Sequence, residues 1–157
     1  MQSPPRSVSA VRAQIQADAK KMGIDDAYIS VLVDTFYTRV RAHPLIGPVF
    51  DNAIGDDWDH HLARMKDFWA SVAMNAGRYT GQPMPKHKKL TAGSPAAQPW
   101  HFKIWLALFQ ETLEETAPSP AVVLYFMERA ERIAKSLELG MFGVPGVGTP
   151  KPGAPTP

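Results

Sequence analysis

The chain has 157 residues and no cysteine. Without cysteine there are no disulfides, no thiolate metal sites and no prosthetic group tethered through paired thiols, and the composition fits a reducing compartment. Net charge is low as well: 17 Lys and Arg stand against 15 Asp and Glu, leaving +2. That balance gives no electrostatic case for nucleic acid. No apolar run approaches the ~20 residues of a membrane span, and Met1–Arg6 is not followed by the apolar core of a secretory signal. Strand patterns and internal repeats are also missing. These absences lead us to expect an all-α protein, cytoplasmic and monomeric, with neither nucleic acid nor membrane as a partner.

What is present is a helical chain of one-domain length. Hydrophobic residues make up 45%, too many for a disordered chain, and the length suffices to bury a core together with a cofactor. Residues 1–24 read as a leader and a short helix from Val8 to about Lys21, closed by Gly23. The main helical domain spans 25–142. Asp25 or Asp26 caps a helix to about Ala42, with Ile29, Val33, Phe36 and Val40 at helical spacing and Tyr37 at the edge of that face. His43-Pro44 ends it. Leu45 to Gly55 reads as a connector, its Gly47-Pro48 pair a turn signal. Asp56 or Asp57 opens the next helix, to about Ala76, whose stripe is His61, Met65, Phe68 and Val72. After a loop to Pro85, Met84 to about Leu90 has room for one or two turns. Thr91 to Pro99 is loop again. A helix over about Trp100–Thr116 carries Phe102, Trp105 and Phe109 on one side. Ser119 and Pro120 start the last one, with Val123, Phe126, Ala130, Ile133 and Leu137 inward. Residues 143–157 are a Gly/Pro-rich tail.

His87 organises the candidate site. It lies in the segment Gly81-Gln82-Pro83-Met84-Pro85-Lys86-His87, between two long helices. Three further polar-tipped side chains sit on separate helices: Tyr37, His61 and Trp105. One imidazole with such a set suggests a buried metal-centred cofactor, because a metal-bound imidazole needs a fixed tautomer and the opposite face needs an apolar pocket with a few donors. Each residue also has a plain reading. His87 beside Lys86, Lys88 and Lys89 suits a solvated turn. His61 suits a satisfied core histidine, and Tyr37 and Trp105 suit core filling. His60 lies about 100° around the helix from His61 and faces solvent. Paired Glu-x-x-His motifs and His-Glu-x-x-His are absent, which argues against di-iron and zinc centres.

Taken in order, the segments resemble the group III truncated haemoglobins. They are Phe36-Tyr37-Thr38-Arg39-Val40-Arg41, Gly47-Pro48-Val49-Phe50-Asp51-Asn52-Ala53-Ile54-Gly55, Trp58-Asp59-His60-His61, Phe68-Trp69, Gly81 to His87, and Phe102 to Phe109. They cover roughly residues 25 to 142. The resemblance implies a compressed globin, two helices packed over two, around non-covalent haem b. Motif by motif it implies His87 as proximal metal ligand, Tyr37 and Trp105 as distal donors to a bound gas, and His61 as the distal-face histidine. Phe50, Met65, Tyr79 and Met84 would wall the cofactor, and the nearby lysines would meet its carboxylates. One departure is His101, where an aromatic is expected one turn before Trp105.

Tyr and Trp are both donors, and hydrogen bonds to a bound gas carrying partial negative charge are worth ~1.5–3 kcal/mol each. Slow release of dioxygen follows, with carbon monoxide and nitric oxide as related ligands. Two other functions stay open on the sequence. The same pocket could oxidise nitric oxide or activate peroxide, which would require a separate reductase. A cofactor-free helical interaction module would be colourless.

Overall fold

The computed structural model describes residues 7–143. The expected leader up to residue 6 and the expected tail from residue 144 lie outside the described residues. Seven α-helices and one 3-10 turn make up the described chain: α1 Val8–Lys21, α2 Asp26–Ala42, α3 Gly47–Ile54, α4 Trp58–Met74, α5 Pro83–Lys89, the turn Leu90–Ala92, α6 His101–Thr116 and α7 Pro120–Phe142. The all-α expectation holds. None of these helices is long and apolar enough to cross a membrane.

Local chemistry sets the helix ends. The Asp25 carboxylate accepts the Tyr28 N–H at 2.8 Å, which satisfies one of the orphan donors at the start of α2. The Ser119 hydroxyl does the same for Val122 at 3.4 Å, with Pro120 in the first turn of α7. α4 stops two residues earlier than the pattern predicts, because Asn75 turns left-handed at φ 52°. The larger correction concerns the expected connector Leu45–Gly55, most of which is helix α3. Gly-Pro is not a break here. Pro48 falls in the first helical turn, where its missing N–H has no partner to lose. Gly47 lies so close to the carbonyls of Val40 and Arg41 that a Cβ would collide with them.

Two helix pairs form the body. α2 packs on α4 and on α6, and α6 packs on α7; α1 lies against α4, and the short α5 against α7. Aromatic rings join the pairs. Trp69 of α4 stacks on Phe109 of α6 at 4.8 Å and meets Phe126 of α7 at 5.9 Å. Phe36 of α2 meets Phe109 edge-on at 5.0 Å. All four rings are buried, so one cluster ties four helices together.

The predicted inward stripes divide into two kinds. Ile29, Val33, Phe36 and Val40 are fully buried. His61, Met65, Phe68, Trp105, Ile133 and Leu137 are only half-buried, although they sit at core spacing. They line a cavity partly open to solvent, and Met65, Phe68, Trp105 and Ile133 also pack against the core.

The aromatic node should dominate stability. Phe109→Ala is expected to cost about 3–5 kcal/mol, the usual range for truncating a buried aromatic. Leu124→Ala, at a side chain 72% exposed, should change stability by less than about 0.5 kcal/mol. Denaturant unfolding of both variants checks this; equal losses would mean that the node does not hold the pairs together.

Candidate cofactor site

The site begins with a local constraint in α5. Pro83 and Pro85 hold the start of this helix, and His87 follows one turn after Pro83. The imidazole folds back so that Nδ1 lies 2.6 Å from the Pro83 carbonyl oxygen. A carbonyl can only accept, so Nδ1 carries the proton and donates it. Nε2 then keeps its lone pair. Burial pushes the His87 pKa below the ordinary histidine value, opposed by the hydrogen bond to Pro83. The ring is neutral at pH 7 with one nitrogen able to bind a metal.

His87 lines a cavity of about 1200 Å³, larger than the ~300–1,000 Å³ of ordinary small-ligand pockets. His61, on α4, also lines it. Its Nε2 is the one buried side-chain nitrogen or oxygen without a hydrogen-bond partner among the described residues. Such an orphan costs about 1–3 kcal/mol unless something else satisfies it. Burial, then the neighbouring His87 and Arg64, pushes the His61 pKa down to about 4, so this ring is neutral too. It stands edge-on to Tyr37 at 5.2 Å and to Trp58 at 5.5 Å.

Tyr37 stands one ring deeper than the lining, 4% exposed, against His61 and against Phe50 at 5.9 Å. Burial raises its hydroxyl pKa above the ordinary tyrosine value, so the phenol keeps its proton. Trp105 lines the cavity and stacks on Phe109 at 5.6 Å. Phe50, Met65, Tyr79 and Met84 all line it as well. The fold therefore gathers seven of the eight predicted side chains around one space and sets the eighth, Tyr37, behind two of them.

Sequence reasoning missed part of the rim. Arg64, Lys86, Lys89 and Arg132 line the same cavity, and of these only the lysines drew notice beforehand. Arg64 was findable, since it lies three residues after His61 on the same helix face. Arg132 comes from α7, far away in sequence. Two glycines make room: a Cβ on Gly81 would collide with Arg64 and Tyr79, and one on Gly140 with Met84. Trp58 opens α4, three residues before His61. Its Nε1 donates to Asp51 at 3.1 Å and the Arg41 guanidinium covers its ring at 4.4 Å, which fixes one wall of the His61 niche.

The chemistry of the donor set is narrow. Among the described residues no three His, Cys, Asp or Glu side chains gather to hold a metal ion. A metal in this cavity would meet at most the two imidazoles of His87 and His61 and would need its remaining ligands from an organic cofactor. The apolar walls and cationic rim suit a large flat molecule with acidic groups at one edge.

No family model matches the chain. A curated protein from Campylobacter jejuni, the group 3 truncated haemoglobin ctb, is 35% identical over 118 residues, covering 73% of this chain and 89% of that one. The crystal structure of the group III truncated haemoglobin from Campylobacter jejuni aligns with a TM-score of 0.69 and 34% identity, over 76% of this chain and 92% of the other. Identity at this level over most of both chains, with the same helical architecture, means that this chain belongs to the group 3 truncated haemoglobins.

Proposed function

We propose that the cavity holds haem b without covalent attachment and that the protein binds dioxygen, carbon monoxide and nitric oxide there, as a cytoplasmic monomer. Its family is one of haemoglobins, which carries with it a globin-type role in binding ligands at haem. The observation that carries the residue assignment is the fixed tautomer of His87: the 2.6 Å bond to Pro83 leaves one basic nitrogen for a metal at the wall of the cavity. Haem, when bound, supplies an iron coordination position for a diatomic gas.

The chain's own residues supply the rest. His87 is the metal ligand. The cationic rim of Arg64, Lys86, Lys89 and Arg132 offers partners for two carboxylates. Phe50, Met65, Tyr79 and Met84 exclude water from the faces of the macrocycle. On the other side, the neutral His61 ring, the protonated Tyr37 phenol and the Trp105 indole N–H form a set of hydrogen-bonding groups. The unpartnered His61 Nε2 is the group most in need of a ligand.

Removing the metal ligand should remove the cofactor. His87→Ala is expected to lose haem or retain it far more weakly, with recovery on adding imidazole. The visible absorption spectrum reads this directly, and a wild-type spectrum without imidazole would put the metal bond elsewhere.

Tyr37→Phe and Trp105→Phe should each speed dioxygen release about 10- to 100-fold, since a hydrogen bond to a charged partner is worth ~1.5–3 kcal/mol and ~1.4 kcal/mol is tenfold. Carbon monoxide, less polar when bound, should respond less. Stopped-flow dissociation of both gases separates the cases; equal effects would mean that the side chains act through volume.

His61→Ala should keep haem but alter the association rate of small ligands, because its ring occupies the wall of the ligand space. Flash photolysis checks this, and unchanged rates with an unchanged ferric spectrum would make His61 a bystander.

A further inference from the structure

His101, the departure from the expected aromatic, is buried at 8% exposure, and both of its ring nitrogens are committed. Its Nδ1 accepts the backbone N–H of Gln98 at 2.8 Å. Only the other nitrogen can then carry the proton, and Nε2 donates to the Leu45 carbonyl at 3.2 Å. The first bond is local: a side chain early in α6 reaches back to a free N–H ahead of the helix, as in a capping box. The second spans 56 residues. It ties the start of α6 to the corner between α2 and α3.

That corner matters to the cavity. Ile46, Val49 and Phe50 follow Leu45 directly, and they wall a small chamber of about 70 Å³ together with His87, His101 and Trp105. Phe50 in turn rests on Tyr37 at 5.9 Å. His101 and Trp105 are four residues apart, on one face of α6. A phenylalanine would fill the same volume but could make neither hydrogen bond.

We propose that His101 is a positioning residue: through the Leu45 carbonyl it holds α3 so that Phe50 stays seated against Tyr37 and the distal side of the cavity keeps its shape. The effect on ligands rests on the haem reading of the cavity; the effect on α3 does not.

The two bonds are separable by substitution. A glutamine amide nitrogen reaches the place of Nε2, and an asparagine oxygen that of Nδ1. His101→Gln keeps the bond to Leu45 and loses the one to Gln98. His101→Asn does the reverse, and His101→Phe keeps neither. Hydrogen exchange of the α3 amides in the protein as purified should be several-fold faster in His101→Asn and His101→Phe than in wild type, and near wild type in His101→Gln. In the haem-loaded proteins dioxygen release should follow the same order, several-fold faster in the first two, with carbon monoxide release changing less. Faster α3 exchange with no haem bound in any protein, wild type included, would support the strap and overturn the haem reading. If His101→Asn behaves as wild type and His101→Gln as His101→Phe, His101 is only a cap of α6 and the proposal fails. It fails equally if all three variants match wild type.

Discussion

Everything at this site depends on one short hydrogen bond, from His87 Nδ1 to the Pro83 carbonyl at 2.6 Å. It decides which nitrogen is protonated and so which one is free. It also holds the ring against rotation, a restraint that neighbouring bulk alone would give less sharply. Two prolines in the first turn of α5 make the arrangement local, since they preset the backbone that carries the accepting carbonyl. α5 rests on α7, and α7 is joined to α4 by the contact of Phe126 with Trp69. The imidazole is thus tied to the same aromatic node that holds the helix pairs.

The opposite wall is built on a different principle. His61 is kept neutral, its pKa pushed to about 4 by burial and by its neighbours, and its Nε2 is left without a partner. Among the described residues the other buried side-chain polar atoms are paired and this one is not, which bears a local cost. The niche around it is well supported, with Tyr37 and Trp58 edge-on to the ring and Asp51 and Arg41 holding Trp58. Rigid walls around an unsatisfied group are how a binding site differs from a packing fault.

Much of the fold was legible because its signals are local. Asp25, Ser119, Pro120 and the His43-Pro44 pair mark helix ends through their own side-chain and backbone chemistry, and the apolar spacing in α2 locates a core face. α3 was misread because Gly-Pro is ambiguous: it marks a turn or a first helical turn, and the choice is made by tertiary contact, here Gly47 against the carbonyls of α2. His61, Met65 and Trp105 stand on α4 and α6 at a spacing that marks an inward face, whereas Phe50, Tyr79 and Met84 were expected through the resemblance to the truncated haemoglobins and not through any stripe. Their half-burial was not legible. A stripe that faces a cavity and a stripe that faces a core have the same period. Arg132 and the bond from His101 to the Leu45 carbonyl rest on contacts between segments distant in sequence, which no spacing rule records.

The central claim is that one haem occupies this cavity on a single protein nitrogen. Titrating the purified chain with haem while following the visible absorption spectrum tests it most directly. The account predicts a sharp Soret band that saturates at one haem per chain, with the spectrum of histidine-ligated iron. A chain that stays colourless, or takes up haem without a saturating one-to-one endpoint, would contradict it.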